Sequence, residues 1–149
     1  MPPLRTVLLV EDNPNDVELT LTALKDAKLA NEVVVVNDGE QALNYLFRRK
    51  QFADRPPGQP AVMLLDLKMP KVDGHEVLRQ VRADPELRLV PVVILTSSRE
   101  ESDLLESYNK GANAYVVKPV DFDQFITSIS KLGIFWAVLN EPPPAKSAP

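Results

Sequence analysis

The sequence predicts an α/β protein, a doubly wound three-layer sandwich built on a five-stranded parallel sheet. Short, uninterrupted apolar runs alternate along the chain with amphipathic stretches, which is the pattern of consecutive βαβ units. Five such runs occur in 149 residues, enough chain for one domain with a substantial core but not comfortably enough for two.

Each predicted strand is a run of apolar or β-branched residues that ends at polar or turn-forming residues. The second run is entirely valine, and Asp38-Gly39 follows it as a turn. The five predicted strands are Thr6 to Val10, Val33 to Val36, Ala61 to Leu65, Val92 to Leu95 and Ala114 to Val117.

The stretches between the strands predict helices, because their apolar residues recur at helical spacing. Asp84-Pro85 ends the third helix, while Ser97-Ser98 caps a fourth helix that stops at Lys110-Gly111. The inward-facing positions are Val17, Leu21, Leu24 and Leu29 in the first helix, Ala42, Leu43, Leu46 and Phe47 in the second, Val77, Leu78 and Val81 in the third, and Phe122, Phe125, Ile126 and Ile129 in the last.

The chain outside these elements divides into loops and a tail. Residues 48–60 are rich in charge, proline and glutamine and predict a long surface loop. The last helix begins near Asp121 and is expected to extend to about Leu139 despite Gly133. We therefore expect one domain over residues 1–140, with its core at about 5–132, and a disordered proline-rich tail over 141–149.

Composition excludes several classes of protein. The net charge of −4 and the pI of about 5.0 argue against a nucleic-acid-binding face. The absence of cysteine excludes disulfides, thiolate metal sites and cysteine nucleophiles. No apolar stretch approaches the ~20 residues that a membrane helix needs. The N-terminus reads as too short and polar to be a signal peptide, so we expect a cytoplasmic protein without nucleic-acid or membrane partners.

Polar residues follow four of the predicted strands. Glu11-Asp12 follows the first, Asp66 the third, Thr96 the fourth and Lys118 the fifth. In an open parallel sheet the carboxyl ends of the strands meet at one crevice, where ligands of such folds bind. The sequence therefore predicts that an acid pair, a carboxylate, a hydroxyl and an ammonium form one site.

Each of these residues has a chemical interpretation and a structural alternative. Adjacent carboxylates at Glu11-Asp12 repel each other and suit a hard cation such as Mg²⁺, whereas Asp12 or Asn13 could merely cap the first helix. Asp66 is a candidate nucleophile for a phosphoryl group, or a strand-ending residue that binds turn amides. Thr96 could bind a phosphoryl oxygen or cap the next helix, and Lys118 could pair with phosphoryl charge or be a solvated surface lysine.

Taken together, these motifs resemble the receiver domain of two-component response regulators. The resemblance covers about residues 5–132, and four separated motifs fall in the right order along the chain. The matching segments are Leu9 to Asn13, Leu64 to Pro70 with Asp73-Gly74, Leu95 to Ser97, and Val117 to Pro119. The sequence also resembles, more narrowly, stand-alone regulators of the cyanobacterial phytochrome and bacteriophytochrome type. The segments that carry this narrower resemblance are Asn13 to Asp16, the proline-containing loop before the third strand, Lys118 to Phe122, Phe135-Trp136 and Asn140 to Pro142.

The resemblance implies a flavodoxin-like (βα)₅ fold and a concrete role for each site residue. Asp66 would accept a phosphoryl group from a histidine of a separate sensor kinase. Mg²⁺ would be bound by Asp12 and Asp66 directly, by Glu11 through water and by the backbone carbonyl of Lys68. Thr96 and Lys118 would hold phosphoryl oxygens.

The resemblance also implies a switch and a regulated lifetime. On phosphorylation Thr96 would move toward the new oxygen, and Tyr115 would turn inward to fill the vacated space. Alternatively, Tyr115 is an ordinary strand residue half-buried against the fourth helix. Lys68 and Ser98, each two residues beyond a site residue, occupy positions that modulate hydrolysis of the acyl phosphate in this family.

The expected partners follow from the same resemblance. The kinase would be a sensor histidine kinase, with a bacterial phytochrome suggested by the narrower likeness. We expect no output domain after residue 140, and we expect the output to be a contact made by the face of the fourth helix, fifth strand and fifth helix. The last helix carries Phe135, Trp136, Val138 and Leu139, which either cover the protein's own core or form a homodimer interface.

Three other functions compete with this interpretation. A phosphatase or mutase with an aspartate nucleophile would carry a second aspartate two residues on, where this chain has Lys68. A nucleotide-binding module would need a glycine-rich turn after the first strand, which the sequence lacks. A pseudo-receiver that only binds partners remains the alternative, although the residues for phosphorylation are all present.

Overall fold

The sheet is the predicted one. The computed structural model describes residues 6–26, 32–67, 69, 71–97, 109, 111–118, 123 and 127. Its strands are β1 (Val7–Val10), β2 (Val33–Val36), β3 (Val62–Leu65), β4 (Val92–Thr96) and β5 (Ala114–Val117). They pair only in parallel, in the order β2-β1-β3-β4-β5. The predicted five-stranded, doubly wound parallel sheet is therefore confirmed.

Three α-helices lie in the described part of the chain: α1 (Pro14–Asp26), α2 (Gly39–Leu46) and α3 (Gly74–Ala83). Asp38 and Asp73 cap α2 and α3, because their carboxylates accept from backbone N–H groups three residues on, at 2.8 and 3.0 Å. The predicted fourth and last helices and the tail fall outside the described residues except at single positions. None of the helices described is long and apolar enough to cross a membrane.

The core consists of two layers, one on each face of the sheet. Successive residues of a strand point to opposite faces, so alternate positions of β1 and β3 supply each layer. One layer packs α2 and α3 on the sheet through Leu8, Val10, Ala42, Leu46, Met63, Leu65, Val77, Leu78, Val81 and Ile94. The other packs α1 on the sheet through Val7, Leu9, Ala23, Leu24, Val62, Leu64, Val93, Leu95 and Val116.

The predicted loop over residues 48–60 contains a short 3₁₀ helix, Lys50–Phe52, and is fastened by Arg55. The guanidinium of Arg55 stacks on the Tyr45 ring, 4.2 Å from its centroid. The same group donates to the carbonyl oxygens of Tyr45 at 2.7 Å, Pro56 at 2.9 Å and Gly58 at 3.1 Å. This loop leads into the amino end of β3, so it is anchored at the sheet edge opposite the strand tips discussed next.

Candidate functional site

The carboxyl ends of the two central strands place two acidic residues side by side. The backbone N–H of Glu11 donates to the Val36 carbonyl, and the N–H of Asp66 donates to the Val10 carbonyl, each at 3.0 Å. These bonds extend the parallel ladder by one residue, so both side chains leave the sheet at the same level. Glu11 is 1% exposed and Asp66 6% exposed. Two carboxylates this deeply buried need neighbouring positive charge.

Lys118, at the end of β5, supplies that charge. Its Nζ lies 2.5 Å from Oε1 of Glu11, 2.9 Å from Oδ2 of Asp16 and 3.4 Å from Oδ2 of Asp66. The lysine side chain is only 10% exposed. The solvated surface lysine considered in the sequence analysis is therefore wrong, and Lys118 is a buried cation at the centre of the acidic residues.

A third acidic residue completes the cluster on the solvent side. One carboxylate oxygen each from Glu11, Asp12 and Asp66 lie within 4.8 Å of one another, and Asp12 is exposed whereas the other two are buried. Oxygen donors converging from one exposed and two buried carboxylates are the donor set that Mg²⁺ and Mn²⁺ prefer. These residues therefore fit a hard divalent cation, approached from the Asp12 side.

The pKa values of Glu11 and Lys118 reflect their burial and the charges beside them. Burial raises the pKa of the Glu11 carboxyl from 4.5 to about 7, and the negative charge of Asp66 acts in the same direction. Hydrogen bonds from Lys118 and from the N–H of Asn13 oppose that rise. Burial also opposes the charge on Lys118, but its hydrogen bonds to Glu11 and Asp16, together with the negative charges of Asp66 and Glu11, outweigh burial, so the pKa of Lys118 is raised.

Asn13 starts α1 and supports the site as well. Its Oδ1 accepts from the N–H groups of Asn15 and Asp16 at 2.9 and 3.2 Å, while its own N–H donates to Oε2 of Glu11 at 3.1 Å. The helix cap considered in the sequence analysis is thus provided by Asn13. Asp12 remains available to the acidic cluster.

The chain after β3 is held against the site by Gly74, which the sequence analysis named in a matching segment without assigning it a role. The N–H of Gly74 donates to the Leu67 carbonyl at 2.8 Å. A Cβ at Gly74 would lie 2.3 Å from the carbonyl oxygen of Asp66 and 2.7 Å from the Cα of Leu67. Gly74 therefore permits α3 to begin directly against the backbone of Asp66. Its only signal in the sequence is the Asp73-Gly74 pair, which reads equally well as a simple turn.

Several residues of the predicted site lie partly or wholly outside the described structure. The backbone of Thr96 ends β4 opposite Val117, but its side chain is among the parts not described, as are Lys68 and Ser98. Tyr115 is half-buried and packs against the core layer that holds α2 and α3. The predicted interface residues Phe135, Trp136, Val138 and Leu139 also fall outside the described residues.

Known proteins share both the sequence pattern and the fold. The sequence profile of the response regulator receiver domain matches residues 7–130. The solved structure of the bacteriophytochrome response regulator RtBRR is 64% identical, superposes with a TM-score of 0.85, and the match covers 95% of this chain and 85% of that one.

One relative has been solved with a bound metal and another in a phosphorylated form. The response regulator Rcp1 of Synechocystis sp. is 34% identical over 90% of this chain and 90% of its own length. A structure of Rcp1 bound to Mn²⁺ matches with a TM-score of 0.75 and 32% identity over 94% of this chain and 99% of that one. The phosphorylated cyanobacterial phytochrome response regulator RcpA also matches with a TM-score of 0.75, at 36% identity over 92% of this chain and 95% of that one.

Receiver domains bind Mg²⁺ or Mn²⁺ through acidic residues, and the cluster of Glu11, Asp12 and Asp66 has that composition. The sheet order, the profile match over most of the chain and the identity to solved bacteriophytochrome regulators agree with one another. The chain therefore belongs to the response regulator receiver domain family.

Proposed function

We propose that this receiver domain accepts a phosphoryl group on Asp66 from a phosphohistidine of a sensor kinase. The observation that carries the proposal is the position of the Lys118 ammonium, 3.4 Å from the Asp66 carboxylate and beside two further acids. A phosphoryl group arriving at Asp66 brings negative charge, and a buried cation already in place stabilises that charge without reorganisation.

In the transfer, a carboxylate oxygen of Asp66 attacks phosphorus and forms a new P–O bond. The P–N bond to the kinase histidine breaks, and the imidazole nitrogen leaves with the electron pair. Lys118 and Thr96 hold phosphoryl oxygens during this step. The signal ends by hydrolysis. A water attacks phosphorus, the P–O bond to Asp66 breaks, and inorganic phosphate leaves while the Asp66 carboxylate is regenerated. Lys68 and Ser98 modulate the rate of that hydrolysis.

The acidic cluster fits a divalent cation, which we assign as Mg²⁺. Asp12 and Asp66 would bind it directly, Glu11 through water, and the Lys68 carbonyl would complete the protein ligands. When bound, the cation neutralises charge on the phosphoryl oxygens. The fit rests on this chain's own carboxylates: one oxygen each from Glu11, Asp12 and Asp66 lie within 4.8 Å of one another, a grouping of negative charge that suits a hard cation.

The signal would leave through the face that contains β5. Thr96 ends β4 opposite Val117, and Tyr115 lies two residues earlier on β5, opposite Ile94. A shift of Thr96 would be relayed to Tyr115 across this strand pair. The proposed partners are a sensor histidine kinase, with a bacterial phytochrome favoured by the relatives RtBRR and RcpA. A homodimer through the last helix region remains a prediction, which sedimentation at tens of micromolar tests.

The direct test is incubation with acetyl phosphate and Mg²⁺ followed by intact-protein mass spectrometry. In this assay the P–O bond to acetate breaks, and one phosphoryl group is added to the wild type. We expect Asp66→Asn to stay unmodified, and Asp54→Asn, an exposed aspartate in the loop before β3, to be modified like the wild type. Modification that persists in Asp66→Asn would move the acceptor elsewhere. A wild type that stays unmodified would favour the partner-binding pseudo-receiver.

A further inference from the structure

Asp16 contacts the site but does not belong to the acidic cluster. Its carboxylate lies 2.9 Å from Lys118 Nζ, whereas the mutually close oxygens within 4.8 Å come from Glu11, Asp12 and Asp66. Its side chain is 26% exposed, so the contact with Lys118 is partly shielded from water. The contact that the structure describes between Asp16 and the site therefore runs through the lysine.

The position of Asp16 is set by the helix that carries it. Asp16 lies in the first turn of α1, where its backbone N–H donates to the side chain of Asn13. Val17 and Leu21 pack this helix against the core layer on one face of the sheet. The carboxylate is thus delivered by a packed element and not by a free loop.

A lysine ammonium has three N–H donors, and their partners here differ in distance. Glu11 and Asp16 take the two short contacts, at 2.5 and 2.9 Å, and Asp66 faces the group at 3.4 Å. Glu11 and Asp16 both lie closer to Nζ than Asp66 does, so these two contacts restrict where the ammonium can lie beside the acceptor carboxylate. Without Asp16, one short contact alone would orient the ammonium.

We propose that Asp16 is a positioning residue for phosphoryl transfer, holding Lys118 so that one N–H stays aimed at the phosphoryl group on Asp66. This inference rests on the proposed function of Asp66. The alternative is that Asp16 only stabilises α1, since an acid in the first turn of a helix is favourable in any protein.

The test is the phosphorylation rate of Asp16→Asn across a series of acetyl phosphate concentrations with Mg²⁺. Asparagine keeps the size of the side chain and removes its charge. We expect the maximum rate constant to fall about three- to tenfold, as loss of one partly exposed charged contact in a transition state would give. The half-saturating acetyl phosphate concentration should not rise, because removing a negative charge does not weaken attraction of an anionic donor.

Two comparisons separate positioning from helix stability. Glu18→Gln removes an acid from an exposed position on the same helix and should leave the rate unchanged. In a Lys118→Ala background, adding Asp16→Asn should produce no further slowing, because the group that Asp16 positions is absent. A further drop of the same factor there, or an unchanged maximum rate in Asp16→Asn alone, would overturn the inference. A wild type that takes no phosphoryl group would instead remove the proposed function itself.

Discussion

Glu11 is the residue in which burial and function conflict most directly. Its side chain is almost fully enclosed, yet the proposed metal site needs it as a carboxylate. Burial raises its pKa to about 7, so near neutral pH the metal-free protein contains a mixture of protonated and ionised Glu11. A bound cation would shift that mixture toward the ionised form.

The raised pKa of Glu11 predicts how stability depends on pH. Between about pH 4.5 and 7 the folded protein holds a proton on Glu11 that the unfolded chain has lost. The free energy of unfolding of the metal-free protein should therefore fall as pH rises through this window, by on the order of 1–3 kcal/mol from this residue. Urea unfolding in a chelating buffer at a series of pH values measures the slope.

The variant that isolates this effect is Glu11→Gln, which cannot titrate. We expect its unfolding free energy to lack the Glu11 part of the fall, while Glu18→Gln, altered at an exposed position, retains it. Equal slopes in wild type and Glu11→Gln would mean that Glu11 ionises near its usual pKa despite its burial.

The charged residues at the strand ends could be predicted from the sequence, but the residues on other elements that contact them could not. An apolar run that ends on Glu11, Asp66 or Lys118 is visible in the sequence, and parallel strands bring such ends together. Asp16 gives no comparable signal, because an acid in the first turn of a helix is common whatever lies opposite it. Its partner Lys118 is 102 positions away, and only the folded structure reveals the contact.

At the scale of elements, the segment between β3 and α3 is fixed by close backbone contact at both ends. Gly74 lies against the backbone of Asp66 and Leu67, and a Cβ at Gly39 would lie 1.9 Å from the carbonyl oxygen of Val72. Two helices therefore begin where only glycine fits against the same segment. The strands and the helices with periodic apolar residues could be predicted from their sequence patterns. The close backbone contacts at Gly39 and Gly74 could not, because they depend on the distance between elements and not on any local pattern.

The contact at Gly74 predicts that Gly74→Ala is destabilising. Helix propensity alone would favour alanine over glycine by roughly 0.5–1 kcal/mol, but the new Cβ cannot be accommodated without moving the Asp66 backbone. We expect the free energy of unfolding to fall by about 1–3 kcal/mol and the rate of phosphorylation by acetyl phosphate to fall with it. Chemical denaturation and the mass-spectrometric assay measure the two effects.

Gly58→Ala is the matched comparison. A Cβ at Gly58 meets no atom within 4 Å, so its cost is limited to backbone strain at a φ of +125°. The site should be unaffected, because Gly58 lies in the loop fastened by Arg55 before the amino end of β3. If Gly74→Ala phosphorylated at the wild-type rate, close packing behind Asp66 would not be what positions the acceptor.

In the molecule as a whole, the acidic cluster lies at one edge of the sheet, and the loop held in place by Arg55 lies toward the other. The carboxyl ends of the strands bring Glu11, Asp12 and Asp66 together, and the one cation that the described structure places among them is Lys118. The loop held by Arg55 lies toward the amino ends, where its carbonyl acceptors carry no net charge. The fold thus carries an unfavourable concentration of negative charge at the edge where the proposed chemistry occurs.

This distribution predicts that Mg²⁺ stabilises the whole fold and that Asp12 mediates the effect. A ligand that binds only the folded state at ten times its Kd adds about 1.4 kcal/mol to the free energy of unfolding, which corresponds to a rise in Tm of about 3–8 °C for a domain near this size. Asp12→Asn should lose most of this rise, because one of the three clustered carboxylates is gone. Its metal-free Tm should be no lower than that of the wild type, since the substitution also relieves repulsion.

Thermal unfolding with and without Mg²⁺ measures both quantities, with Asp54→Asn as the control that keeps the full response. If Asp12→Asn kept the wild-type rise, the cation would be bound elsewhere than in the cluster of Glu11, Asp12 and Asp66.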